Sequence, residues 1–280
     1  MAEITATAVQ TLRQRTSLPL MDCKRALVEA EGDMEKAVEI LRIRNKGVVD
    51  KRIDNETSEG RVAVFIDPAT KVAGIIELLC ETAPVAKSDQ FIALANEMAK
   101  SIALHNPQTV DELLAQASEV AGETINDRLT AVVGLIREKM KPGRFTRLVG
   151  GSFGSYIHHD GSLGVLVQVL QEGGDATTLK DVAMHVAAVV PTPVSARRDE
   201  VPEAIVAKEM EIARAKAAAT GKPAQVAEKI AEGQMKTWFA ENVLVEQPFI
   251  KDPSKTVGQI LESAKLEIQK FVRVKVGASA

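Results

Sequence analysis

An α+β fold is what this sequence predicts, and three patterns predict it. Short amphipathic helices fill the first 45 residues, a strand–turn–strand–helix arrangement occurs twice about 90 residues apart, and residues 202–240 are rich in Ala, Glu and Lys with no strand pattern. The chain has 280 residues, more than one compact core generally uses. The expected division is a three-helix module over 1–45 and a linker over 46–60. A first core subdomain with a helical extension follows over 61–149, and a second over 150–280 is interrupted by an antiparallel helical hairpin over 201–240.

Within the module, Thr5 can cap a helix carrying Val9 and Leu12, and Leu18-Pro19 ends it. A second helix carries Met21, Ala26 and Leu27, and Gly32-Asp33 stops it and caps a third. Met34, Ala37, Val38 and Leu41 form the apolar stripe of that third helix. A bundle this small either docks on something or caps the rest of the chain. Residues 46–60, KGVVDKRIDNETSEG, are polar and interrupted, as a linker would be.

The first strand pattern covers 61–67, turns at Asp67-Pro68-Ala69-Thr70 and resumes over 72–79. Ser88 can then cap a helix with Phe91, Leu94, Ala95, Met98 and Ile102 on one face. The second copy has strands at 153–158 and 163–170 around His159-Asp160-Gly161-Ser162, and a helix over 179–190 ended by Pro191. Gly74-Ile75-Ile76 is matched with Gly164-Val165-Leu166, and Met98-Ala99 with Met184-His185, which suggests a duplicated core. Between the copies, residues 110–140 read as helical with a basic exit of Arg137, Lys139, Lys141, Arg144 and Arg147.

The hairpin pairs Ile205 and Ile212, seven apart, with Val226 and Ile230, four apart. Thr220-Gly221-Lys222-Pro223 supplies a stop and a start between its helices. Its faces are too polar to be buried all round, so it should project. A capped helix near 256–264 and an alternating strand over 271–276 close the chain, the strand completing a sheet.

Composition removes several functions. With 35 basic and 38 acidic residues, a net charge of −3, there is no polycationic footprint for bare nucleic acid. Seven Phe, one Trp and one Tyr supply few stacking platforms for single strands. Cys23 and Cys80 lie far apart in apolar segments, which argues against a disulfide framework or zinc site and favours a reducing compartment. The opening MAEITATAVQTLRQRT has no apolar leader core and no run is long enough to span a membrane, so the cytoplasm is the expected location.

Chemistry is equally scarce. Gly150-Gly151-Ser152-Phe153-Gly154 precedes a strand, where a phosphate cradle would join strand to helix. Thr220-Gly221-Lys222-Pro223 has Lys216 where a nucleotide-binding loop needs Gly, and Pro223 in place of the magnesium-binding hydroxyl. Of the histidines, His105, His158 and His159 read as surface or turn groups; adjacent His158 and His159, if in a strand, would point to opposite faces. His185, on the second core helix, is either a satisfied packing group or an interface contact.

Four motifs carry a resemblance. Leu12-Arg13-Gln14-Arg15-Thr16 with Met21-Asp22-Cys23-Lys24-Arg25-Ala26-Leu27 and the segment 29–37, then Ala183-Met184-His185-Val186-Ala187-Ala188, then Gln247-Pro248-Phe249, then 252–259 resemble, in order, the bacterial elongation factor Ts family. The resemblance implies a UBA-like first module, a coiled-coil hairpin, and a guanine-nucleotide exchange factor for elongation factor Tu that needs no cofactor, metal or catalytic residue. It implies that Leu12, Arg13, Thr16, Met21, Asp22, Cys23 and Lys24 sit on the GTPase's nucleotide domain. It also implies that Thr82, Ala83, Pro84 and Val85 form a magnesium-displacing loop, and that Met184, His185 and Val186 hold another domain of the GTPase. Elongation factor Tu is then the partner, without direct nucleic-acid or membrane contact, and a homodimer within a 2:2 complex fits the family.

Two departures stand out. The family loop usually reads Thr-Asp-Phe-Val-Ala-Lys, whereas here Thr82-Ala83-Pro84-Val85-Ala86-Lys87 lacks both carboxylate and aromatic wedge, shifting weight to the N-terminal module. Some members also add a helix after the final strand, while this sequence stops at Ala280, which implies a weaker grip. The rival expectation is a ribosome- or RNA-associated protein using the basic 137–147 segment.

Overall fold

Residues 4–16 and 18–278 are described by the structure, a computed structural model. Helices α1 (Ala6–Thr16), α2 (Leu20–Glu29) and α3 (Met34–Asp50) form the N-terminal bundle. The Thr5 hydroxyl accepts the Ala8 N–H at 3.2 Å, and the Asp33 carboxylate accepts the Glu35 and Lys36 N–H groups at 3.0 and 3.1 Å. Gly32, at φ +89°, makes the left-handed turn before that cap. Val9, Leu12, Leu18, Cys23, Ala26, Leu27, Ala37 and Leu41 are the bundle's core. Helix α3 continues to Asp50, five residues into the segment expected to be linker, because Val48 and Val49 pack on the core of the next unit.

The first core unit is β1 (Glu59–Asp67), β2 (Val72–Cys80), α4 (Ala83–Ala86), α5 (Asp89–His105), α6 (Val110–Ala115), α7 (Ile125–Ile136) and β3 (Met140–Val149). Its antiparallel sheet runs β1-β2-β3, with α5 across one face. The expected helical run over 110–140 is broken. Buried Glu97 of α5 accepts the Ser118 hydroxyl at 2.6 Å and the Glu119 N–H at 2.9 Å, fixing an irregular loop between α6 and α7. Three cations of the basic exit, Lys141, Arg144 and Arg147, lie in an unforeseen strand, β3. A bulge opposite Ile76–Leu78 breaks its alternation around Pro142 and Gly143, so no period-two pattern survives in sequence.

The second unit is β4 (Ser152–Ile157), β5 (Leu163–Val169), α8 (Ala176–Ala188), α9 (Glu203–Ala218), α10 (Ala224–Asn242), β6 (Pro248–Phe249), β7 (Asp252–Thr256), α11 (Val257–Ser263) and β8 (Ile268–Lys275). The closing strand joins the sheet β4-β5-β8 as expected. The two sheets meet face to face through Val62, Ala73, Ile75 and Leu148 on one side and Leu166 and Val274 on the other. Helices α5 and α8 cover the outer faces, giving four layers. The duplication is present, but its register differs from the sequence match. A methyl group on Gly74 would strike the Ala99 carbonyl of α5, whereas one on Gly164 would strike Val62 of the other sheet. The two glycines therefore face opposite sides, a one-residue slip. Helix burial aligns Phe91, Leu94, Ala95 and Met98 with Leu179, Val182, Ala183 and Val186, so Met98 corresponds to Val186, not Met184.

In the projecting hairpin, Val206, Met210, Ala213 and Ala217 face Ala227, Ala231, Met235 and Trp238. Of the four expected seam residues, Ile230 packs on this core and Ile212 is half-buried, while Ile205 and Val226 stay exposed; alanines at the seam's centre let the helices approach closely. Arg198 sits 4.2 Å from the Phe239 ring centroid at the hairpin base.

Candidate partner interface

Thr82, Ala83, Pro84 and Val85 leave the end of β2 as a single helical turn, α4, with Thr82 at its N-cap. Proline is compatible with a first turn because the missing N–H has no helical partner there. Thr82 and Pro84 are exposed, Ala83 and Val85 half-buried. One carboxylate fixes the turn: Thr82 donates its N–H to Glu138 Oε2 at 3.0 Å and its hydroxyl to Oε1 at 2.7 Å. The side chains of the tip itself, Ala83, Pro84 and Val85, are apolar.

The N-terminal candidates divide by burial. Leu12 and Cys23 are fully buried, the Cys23 thiol lying 3.6 Å from the Thr16 hydroxyl. Burial pushes that thiol's pKa up, Thr16 opposing it in part, so Cys23 is a core group and no thiolate. Half-buried Thr16 turns its hydroxyl onto the Leu12 carbonyl at 2.8 Å. The outward groups are Arg13, Met21 and Lys24, and α2 adds exposed Leu20 and Val28, which sequence patterning passed over. Asp22 is bonded to Arg25 and lies 3.7 Å from Arg137, which follows α7. Helix α2 and turn α4 thus both attach at residues 137 and 138, and so border one edge of the first core unit.

The basic segment is largely occupied. Lys139 bonds the Ile53 and Asn55 carbonyls, Arg144 pairs with buried Glu77 at 2.9 Å, and Arg147 donates to the Ala103 carbonyl at 2.7 Å. Of the other two, Arg137 has only the 3.7 Å ion pair with Asp22, and Lys141 makes no such bond among the described residues. Lys139, Arg144 and Arg147 thus join strands and loops of their own chain.

On the second unit, His185 and Val186 are fully buried and Met184 is half-buried. His185 Nδ1 accepts the Ile250 N–H at 3.1 Å, so the neutral ring carries its proton on Nε2 and donates it to Gln247 Oε1, also at 3.1 Å. Gln247 in turn donates to the Pro191 and Glu241 carbonyls at 3.0 and 2.6 Å. Burial depresses the His185 pKa, the Gln247 bond opposing it. Of the two expectations for this imidazole, the satisfied packing group is the one present. Two of the four motifs therefore meet in the interior, at His185–Gln247, and the exposed groups bordering them are Val190 and Ile250. A Val-Val-Pro end to the helix was the only available signal for Val190.

His158 and His159 fall in the turn after β4 with rings 4.3 Å apart, so strand alternation does not separate them. Among the described residues no group of three or more His, Cys, Asp or Glu side chains could hold a metal, and no helix is long and apolar enough to cross a membrane.

Comparison with known proteins bears on this arrangement. The family described as Elongation factor TS matches residues 81–278. The chain is 40% identical over 277 residues to elongation factor Ts of Thioalkalivibrio sulfidiphilus, an alignment covering 98% of this chain and 92% of the relative. It is 42% identical over 277 residues to that of Ralstonia nicotianae, covering 99% and 91%. For Cupriavidus taiwanensis the figures are 42% over 278 residues, covering 99% and 92%. With a family match over residues 81–278, well over half of the chain, and this identity along nearly its whole length, the chain belongs to the elongation factor Ts family, the guanine-nucleotide exchange factors of elongation factor Tu.

Proposed function

We propose that the chain binds elongation factor Tu in its GDP form through α2 and turn α4 together, disturbs the magnesium and phosphate contacts of the nucleotide, and is displaced when GTP enters. GDP is held on such GTPases by phosphate contacts and a bridging magnesium ion. A protein that binds the nucleotide-free GTPase more tightly than the GDP form must weaken GDP by the same factor, since coupling is reciprocal. No bond is made or broken, so the chain acts as a binding protein and not as an enzyme.

The observation that carries this reading is the convergence of α2 and α4 on residues 137 and 138 at one edge of the core. Arg13, Met21 and Lys24 offer charge and apolar surface there, and Pro84 a rigid apolar tip. Without a carboxylate or aromatic ring at the tip, α4 acts by occupying space, and α2 supplies more of the binding. Met184, Val190 and Ile250 give the second unit a separate contact, for which buried His185 and Val186 serve as scaffold. The reading places the chain in the cytoplasm, without nucleic acid or membrane, and allows two copies in a 2:2 complex, which the mass of the purified complex would show. Release of fluorescent GDP from elongation factor Tu tests the function. Acceleration that rises and saturates with added chain supports it, and an unchanged rate at stoichiometric amounts refutes it.

A further inference from the structure

Helix α7 is capped at its C-terminus by Arg137, whose φ of +63° is left-handed, an unfavourable region for a residue with a side chain. Such a conformation persists where the surroundings over-determine it, and here they do. The next two residues are bonded on several sides. Glu138 takes both hydrogen-bond donors of Thr82, at 3.0 and 2.7 Å. The Lys139 N–H donates to Glu81 Oε1 at 2.5 Å, and its ammonium group bonds the linker carbonyls of Ile53 and Asn55. Arg52, also in the linker, donates to Glu81 Oε1 at 2.9 Å. Burial pushes the Glu81 pKa up, yet Lys139, Asn55 and Arg52 together hold it below the ordinary carboxylate range. Arg137 itself reaches Asp22 of α2 at 3.7 Å, an exposed pair that orients more than it stabilises.

We propose that Arg137-Glu138-Lys139 is a positioning joint for exchange, fixing turn α4, the linker and the N-terminal module to one point, with Glu138 as the residue that sets the pose of α4. The proposal rests on the reading that α4 presses on the GTPase. Its chemical logic is that Val85 and Ala86 anchor the far end of the turn in the core, so the pose of the exposed Pro84 tip depends on how the near end is held, and there the two Glu138 oxygens hold Thr82. A charge-assisted bond from an N–H to a carboxylate is stronger than one between neutral groups, which suits such a clamp.

The test uses the full chain and elongation factor Tu loaded with fluorescent GDP, measuring the limiting release rate and the half-saturating concentration separately. Glu138→Ala should lower the limiting rate about tenfold and shift half-saturation by less than about threefold, because the module still binds. Glu138→Gln, which keeps one acceptor oxygen, should fall between. Hydrogen exchange at the Thr82 amide should accelerate in Glu138→Ala while the thermal transition stays near that of the unaltered chain. Thr82→Val added to Glu138→Ala should cost little more, since both changes break the same contact. Pro84→Gly separates the two levels. If it slows release but neither Glu138 variant does, the joint is overturned and the α4 reading stands. If neither Pro84→Gly nor the Glu138 variants slow release, the α4 reading falls and the joint with it. If Glu138→Ala melts early, Glu138→Gln decides: an unchanged rate with faster Thr82 exchange overturns the joint.

Discussion

Replacing His185 by leucine separates scaffold from contact surface. The side chain is fully buried, and its two ring nitrogens accept the Ile250 N–H and donate to Gln247 Oε1, each at 3.1 Å. Leucine fills a similar volume, so the cavity term is small and the cost comes from stranding two polar groups. Each buried group left without a partner costs about 1–3 kcal/mol, giving about 2–6 kcal/mol for His185→Leu. Against a total stability of about 5–15 kcal/mol, that is a large fraction. At about 2–4 °C per kcal/mol for a chain of this size, the melting temperature should fall by roughly 4–24 °C. Urea and thermal denaturation read both quantities.

The pH dependence gives a second signature. Burial lowers the His185 pKa in the folded chain, so as pH falls through the ordinary value of 6.5 the unfolded chain takes up the proton first. The neutral ring's contribution is therefore complete above pH 6.5 and is lost as pH falls from there towards the lower folded value. His185→Leu should flatten that part of the stability curve. Well below the melting temperature, its GDP-release rate should match that of the unaltered chain. A loss under about 1 kcal/mol, or slower exchange with an unchanged melting temperature, would refute the packing account and make His185 a contact.

Further expectations concern other parts of the fold. Gly154→Ala places a methyl group 2.5 Å from the Leu179 carbonyl carbon, so it should destabilise by about 1–3 kcal/mol through a shift of α8, seen in denaturant melts. Ala83→Asp combined with Pro84→Phe restores the usual family tip and should speed GDP release; an unchanged or slower rate would contradict a weakened wedge. Replacing residues 203–241 by a short glycine-rich turn should leave the core folded, because the hairpin has its own small core and the chain is already bonded at its base, Val194 N–H to the Asn242 carbonyl at 2.9 Å. Circular dichroism and melting would check it, and loss of the core transition would contradict it.

Elements set by local chemistry were legible in the sequence. The caps at Thr5, Asp33 and Thr256, the Gly32 stop and the turn at residues 159–162 all use neighbours within a few positions, and each occurs where it was expected. Strand β3 was not legible, because its bulge erases the alternation and its cations answer to Glu77 and the carbonyls of Ala103 and Lys275, up to 131 positions away. The loop between α6 and α7 was hidden for the same reason, its anchor Glu97 lying on another helix. Matching Gly74 with Gly164 erred by one position, enough to exchange the faces of a sheet. At the candidate interface the motif residues were visible but their exposure was not: Leu12, Cys23, His185 and Val186 turn inward, and only packing reveals that Val190 and Ile250 are what remains outside.

The central claim is a thermodynamic coupling between this chain and GDP on elongation factor Tu. Titration calorimetry around the closed cycle tests it directly, measuring the affinity of the chain for nucleotide-free and GDP-bound GTPase, and of GDP for free and chain-bound GTPase. The account predicts tighter binding to the nucleotide-free form, with GDP affinity weakened by the same ratio. Equal affinity for both forms, with GDP binding unaltered, would contradict it.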